Sequence, residues 1–356
     1  MTPEPYHHPE LLPLIPDVVL KKHQVREKAD TRFRACARLL QAIWREEQEL
    51  PIGSFKPPRA AKRRIGSLLG TKAAEEGRNF LLPQVAQLAR REVLYQEHGA
   101  LIDRGRLFGN LLSSMPLAFN LFAPLRLNGG LATKVLRNLL PELDCRNVTK
   151  ILFEHSPGRL HHALTADRTA FDVAIVYERH DGRHGFLGFE VKYSESLHEG
   201  PAQGLRQPYD DLADASGLYK DHASALLRLN PLQQLFREHL LAQAGLIRGD
   251  WAEANFILVA PRHNHHVQRA AALYSAYLTE PVKGQVCFTT ITLEHFIAAI
   301  SSAGQPEYAF ALHDRYTDWT KVDAALEQAL ARSAQSWTLS TIPAARPNAL
   351  LALEPR

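Results

Sequence analysis

The chain has 356 residues, 45% hydrophobic and 22% charged, a balance that suits a globular protein with a sizeable core. Its net charge of +4, from 42 basic and 38 acidic residues, is too slight to mark a nucleic-acid binder, because affinity for phosphate depends on local clustering. No run of about 18 apolar residues is present, so no membrane span is expected; Cys36, Cys145 and Cys287, in no CxxC pair, argue against a disulfide framework or a zinc knuckle.

The chain begins MTPEPYHHPELLPLIP. Acids and prolines stand where a signal peptide would carry a basic start and an apolar run, so a cytoplasmic protein is expected. Residues 1–20 are Pro-rich and read as irregular. From Lys22 to Glu49, Phe33, Ala37, Leu40 and Trp44 recur at helical spacing. The run from Phe55 to Lys72 then holds Lys56, Arg59, Lys62, Arg63, Arg64 and Lys72 without an acid. With Pro57 and Pro58 it reads equally as a solvated connector or as an arm that tracks phosphates. Helical spacing returns over 73–98, 105–122 and 130–140, with Pro141 just past the last stretch.

The texture then changes. KILFEH (150–155) is a short apolar strand. AFDVAIVYER (170–179) and GFLGFEVKY (185–193) both alternate, and HDGRHG between them is a turn with Asp181-Gly182 at its centre, so the two form a β-hairpin. A polar, glycine-containing loop covers 194–229. An amphipathic helix follows over 230–246, with Pro231 at its first position and Gly245 near its end. Strands at 254–261 and 285–293 alternate with helices at 265–278 and 294–301, and a further helix spans 306–333. This order implies a mixed α/β sheet with helices on its faces. Three segments result: a helical extension with a basic linker (1–104), an α/β core (105–335) and a loosely ordered tail (336–356).

The chemistry sits on the hairpin. Side chains alternate along a strand, so Glu190 and Lys192 share one face, about 7 Å apart, while Phe189 and Val191 face the core. On the other strand Phe171, Val173, Ile175 and Tyr177 form one face, and Asp172, Ala174 and Val176 the other. The hairpin then brings Asp172 beside Glu190. Two neighbouring carboxylates repel each other, and a hard cation relieves that cost; Mg²⁺ is typically held by one or two carboxylates plus water and phosphate. Such an ion polarises a phosphoryl oxygen and lowers the pKa of its water. A lysine beside it can orient or deprotonate the attacking water, or neutralise charge building on phosphorus.

The pattern D-x(17)-E-x-K, on the second and third strands of this order, resembles the PD-(D/E)XK nuclease superfamily. Asp172 matches its first acid, Glu190 its second and Lys192 its lysine; Phe171 stands where the superfamily name has proline. The stretch EHSPGR…DRTAFD…GFLGFEVKY, with LLSSMPLAFNLF before it and NPLQQLFREHLL after it, is also similar to a bacterial family of restriction-type endonucleases over residues 105–260. The resemblance implies a restriction-endonuclease-like α/β core, Mg²⁺ (with Mn²⁺ as substitute) bound by Asp172, Glu190 and Glu154, and a nucleic-acid substrate, DNA above all. It also implies that a Gln or Arg on the following helix faces the site; of Gln233 and Gln234 the second is favoured, because Arg237 is three residues on and shares its face. Arg159 and Arg168, between the first two strands, are candidates for gripping phosphate, as are Lys62, Arg63 and Arg64. A homodimer would suit a double-strand cutter. The alternatives are a nucleic-acid-binding module of the same fold without the chemistry, and an unrelated hydrolytic enzyme with a carboxylate–metal site. Gly66–Lys72 has the wrong spacing for a phosphate loop, and no strand is read before it. His263, His265 and His266 lack a metal-ligand pattern and read as a loop before a helix.

Overall fold

The computed structural model describes residues 12–56, 61–198, 204 and 207–340. The expectations for residues 1–11, for Pro57, Pro58 and Arg59, and for 341–356 lie outside them. In chain order, α1 (Asp17–Lys22), α2 (Arg32–Glu47), β1 (Ile52–Phe55), β2 (Arg63–Leu69), α3 (Thr71–Glu75), α4 (Pro83–Leu94), α5 (Arg104–Gly109), α6 (Ser114–Leu127) and α7 (Gly129–Leu139) come first. Then follow β3 (Asn147–His155), β4 (Phe171–Glu178), β5 (His184–Val191), α8 (Gln207–Ser216), α9 (Gln233–Arg248), β6 (Glu253–Ala260), α10 (His265–Tyr277), β7 (Cys287–Thr292), α11 (Leu293–Ser302), α12 (Pro306–Tyr316) and α13 (Thr320–Ser340).

The central sheet has the order β3-β4-β5-β6-β7. The first three strands are antiparallel, as a short turn between β4 and β5 requires. β6 and β7 join in parallel, each reached through a helix, α9 and α10 respectively. Alternation along the strands sorts side chains into two apolar layers. Val173, Ile175, Leu187, Phe189, Val191 and Val259 face a layer built with α2, α6, α7, α11 and α12. Ala174, Phe186, Phe256 and Leu258 face a layer built with α8, α9 and α10.

The N-terminal helices belong to the first layer. Phe33, Leu39 and Leu40 of α2 share one apolar cluster with the sheet, so residue 104 is not a break in packing. A polar clasp reinforces the contact: Gln41 Nε2 donates to Tyr193 Oη at 3.0 Å and to the Arg315 carbonyl at 2.8 Å. Arg315 is itself fully buried, with its guanidinium 4.1 Å from the centre of the Trp44 ring.

Several boundaries differ from the sequence reading. The Pro-rich start runs into α1, and the basic run contains β2, which pairs with β1 just before the run and buries Ile65 and Leu69. Cations dominate that stretch and mask its short alternation. β2 also puts a strand through the Gly66–Lys72 run, although the wrong phosphate-loop spacing remains. The 105–122 helix is two helices, and Ser113 caps the second by accepting from Met115 N–H at 3.2 Å. The 306–333 helix breaks at Thr317–Trp319, and its second part continues to Ser340, past the expected start of the tail. The polar loop contains α8. Finally, α9 runs on past Gly245 and stops at Gly249, whose φ of +80° suits glycine.

Candidate active site

Strand register builds the site. β4 and β5 pair Val173 with Phe189, and the next step of the same ladder sets Asp172 opposite Glu190. β3 pairs Phe153 with Val173 and His155 with Phe171, which sets Glu154 opposite Asp172. Three carboxylates thus stand in a row across adjacent strands. Val191 N–H donates to Asp172 Oδ2 at 2.9 Å, tying the two strands where the ladder ends. Lys192 lies two residues beyond Glu190 on the same face. All four side chains border one cleft of about 690 Å³.

Phe171 departs from the expected alternation. Its ring crosses to the layer of Ala174 and Phe186 and does not join Val173. It lies over Gly188, where a Cβ would come within 2.5 Å of the ring. Glycine at 188 leaves that space open, and the ring packs edge-on against Phe186 with centroids 5.4 Å apart.

The floor of the cleft is a closed hydrogen-bonded set. Lys192 Nζ lies 2.6 Å from Glu190 Oε1 and donates to Gln234 Oε1 at 2.9 Å. Gln234 Nε2 donates to Glu190 Oε1 at 2.7 Å and to Glu238 Oε1 at 2.9 Å. Glu190, Lys192 and Glu238 are buried. Gln234 therefore faces the motif, as its spacing to Arg237 predicted. Gln233 also borders the cleft, but its amide donates to the Arg228 carbonyl at 2.8 Å. Tyr193 turns into the core on the α2 side.

Burial pushes the Asp172 carboxyl well above the usual carboxylate range, and repulsion from Glu190 adds to this against the pull of Lys192. Burial raises Glu154 as well, with Glu190 and Glu97 adding to the effect and Arg159 opposing it. Glu238 is raised by burial and by Glu190. Burial by itself pulls Lys192 below its ordinary range. The Glu190 and Asp172 carboxylates outweigh it and hold the ammonium charged well above its ordinary range.

Among the described residues, no three His, Cys, Asp or Glu side chains converge closely enough to cage an ion. Asp172 and Glu190 nevertheless fit a hard divalent cation. They offer adjacent, desolvated, mutually repelling oxygens, and Mg²⁺ needs only one or two such ligands beside water and phosphate. Glu154 is next in the row and borders the same cleft.

The predicted cations divide. Arg168 is exposed at the cleft edge. Arg237 borders the cleft, but its Nη2 is engaged by Asp167 Oδ2 at 2.9 Å and Thr169 Oγ1 at 2.8 Å. Arg159 does not line the cleft. It donates to the Glu154 carbonyl at 2.7 Å and the Arg168 carbonyl at 3.0 Å, and so props Glu154, whose φ of +48° is strained for a non-glycine residue. Lys62, Arg63 and Arg64 lie on the β1–β2 hairpin and line no part of the cleft; Arg63 is ion-paired with Glu27 and sits over the Phe55 ring. Arg34 and Arg106, which the sequence reading missed, do border the cleft. They lie far away in sequence, and only packing of the N-terminal helices reveals them. Glu238 was also missed, although its spacing of four from Gln234 on one helix was a usable signal.

A model of the PD-(D/E)XK nuclease superfamily matches residues 28–318. The match takes in α2 and the β1–β2 hairpin as well as the sheet. Searches of curated proteins and of solved structures find no match. The mixed sheet, the Asp172–Glu190–Lys192 arrangement on its central hairpin and a family match over most of the sequence agree: the chain belongs to the PD-(D/E)XK nuclease superfamily.

Proposed function

We propose that this protein is a Mg²⁺-dependent nuclease that hydrolyses phosphodiester bonds of DNA in the manner of a restriction-type endonuclease, with Mn²⁺ as a working substitute. The observation that carries this reading is the antiparallel register that sets Asp172 against Glu190, with the Lys192 ammonium 2.6 Å from the latter, in a cleft edged by arginines. Asp172 and Glu190, with Glu154 beside them, would hold the ion. When bound, it polarises a phosphoryl oxygen and acidifies the attacking water. Lys192, whose ammonium lies beside Glu190 at the cleft floor, would orient or deprotonate the attacking water or meet the negative charge building on the phosphoryl oxygens. Gln234 holds Lys192 and Glu190 in mutual register. Arg168 would take a phosphate beside the scissile bond; Arg34 and Arg106, paired with Asp30 and Glu195, add positive charge to the same cleft. Arg237 and Arg159 brace the loops behind them. Cutting both strands of a duplex would call for two copies of the chain.

An inactive binding module is disfavoured because both acids and the lysine are present and gathered at one spot. The test incubates wild type and Lys192→Ala with plasmid, linear duplex and single-stranded DNA, in Mg²⁺, in Mn²⁺ and in EDTA. Cleavage by wild type is expected with either ion and not in EDTA, and the variant should fall by at least about 100-fold. Equal cleavage by both proteins would remove the mechanism.

A further inference from the structure

We infer that Glu238 is a positioning residue for the reaction: it anchors the Gln234 amide, and through it the direction in which the Lys192 ammonium points. The inference rests on the role proposed above for Lys192.

Both N–H groups of the Gln234 amide are engaged, and its oxygen accepts one hydrogen bond. Its oxygen accepts from Lys192 Nζ at 2.9 Å. One N–H is directed at Glu190 Oε1, 2.7 Å away, and the other at Glu238 Oε1, 2.9 Å away. The two carboxylates differ in what else they must do. Glu190 Oε1 already receives Lys192 and Gln234 together and belongs to the oxygen pair that fits a cation. Whatever draws Glu190 toward the cleft loosens its hold on the amide. Glu238 lies on α9 itself, one turn beyond Gln234, and is only 3% exposed. It is the acceptor that stays with the amide when Glu190 is called away.

A carboxylate is an expensive choice at this place. Glu238 Oε2 is buried with no hydrogen-bond partner among the described residues, and Glu190 stands nearby as a like charge. Scaffolding alone would be served better by an apolar side chain of the same size. An acceptor oxygen aimed at Gln234 is what the glutamate adds. The same geometry predicts that glutamine at 238 would suffice, since it offers an acceptor at equal reach.

The test compares Glu238→Leu, Glu238→Gln, Gln234→Ala and the Gln234→Ala/Glu238→Leu double variant on a linear duplex in Mg²⁺, with melting curves of the same proteins without DNA. Glu238→Leu is expected to lower kcat by about 30-fold with KM changed less than about 2-fold, the signature of a group that acts in the transition state. Glu238→Gln should recover kcat to within about 3-fold. The double variant should be no slower than Gln234→Ala alone, because both changes break one relay. Glu238→Leu should also melt no lower than wild type, and by about 2 °C higher if the buried carboxylate is as costly as its surroundings suggest.

Wild-type kcat in Glu238→Leu, equal damage from leucine and glutamine, or multiplying effects of the two single variants would each overturn the inference. So would a fall in melting temperature that parallels the fall in kcat, because that would mark a scaffold residue. If wild type makes no Mg²⁺-dependent cut, the reading as a nuclease fails instead. The melting cycle then still decides on the contact: additive shifts of Glu238→Leu and Gln234→Ala refute the relay, and non-additive shifts support it.

Discussion

The two faces of the central sheet use the same strands for opposite purposes. One face is apolar through Val173, Ile175, Leu187, Phe189, Val191 and Val259 and is closed by α2, α6, α7, α11 and α12. The other is apolar through Ala174, Phe186, Phe256 and Leu258, then turns polar at one end with Asp172, Glu190 and Lys192. A single register step separates Phe189, wholly buried on the first face, from Glu190 on the second. Strand alternation thus separates stability from chemistry residue by residue, and a polar patch can exist without a gap in the core behind it.

The largest expected effect tests that separation directly. Asp172→Asn should reduce cleavage by roughly 1000-fold, yet leave the melting temperature unchanged or higher, because it removes a repelled, desolvated charge. Phe189→Ala, whose ring packs 4.9 Å from that of Phe122, should instead cost about 3–5 kcal/mol of stability. The protein that remains folded should still cut. Initial rates normalised to folded protein, together with denaturant melts, read both effects. A melted Asp172→Asn or a folded but inert Phe189→Ala would show that the faces are not independent.

A smaller effect belongs to the site-side layer alone. His239 on α9 is fully buried; its Nε2 donates to the Val286 carbonyl at 2.8 Å and its Nδ1 meets Tyr274 Oη at 2.9 Å. Burial pushes its imidazole down to about 4, against a lesser upward pull from the Val286 carbonyl. The unfolded chain therefore binds this proton more tightly than the folded one. The stability contributed is full above the ordinary histidine value near 6.5 and is lost as pH falls from there to about 4, in total roughly 3 kcal/mol. Denaturation midpoints between pH 7 and 4.5 should fall more steeply in wild type than in His239→Phe. Parallel slopes would refute the assignment.

The smallest effect lies at the rim. Arg168→Ala should raise KM by about 3- to 10-fold, leave kcat alone and reduce the salt dependence of binding by about one counterion. Cleavage measured between 50 and 200 mM salt would show it; an unchanged salt slope would mean that Arg168 meets no phosphate.

What the sequence revealed follows the same division. The strands that carry Asp172, Glu190 and Lys192 were legible because period-two alternation is local and the turn at Asp181-Gly182 fixes their pairing. Gln234 was legible from helical spacing. The rim was not: Arg34 and Arg106 reach the cleft only through tertiary packing, which leaves no trace in a short window. For Arg159 and Arg237 the sequence shows a charge but not the Glu154 carbonyl or the Asp167 carboxylate that engages it. Phe171 escaped because its place depends on Gly188 of the neighbouring strand.

The clasp from Gln41 to Tyr193 has a practical consequence. Tyr193 immediately follows Lys192, so a helix near the start of the chain pins the end of the strand that presents the ammonium. A shortened polypeptide starting at residue 105 would lose that pin and lay the apolar underside of the sheet open to water. It would be expected to clump rather than to cut, and anyone seeking a minimal working version should trim elsewhere.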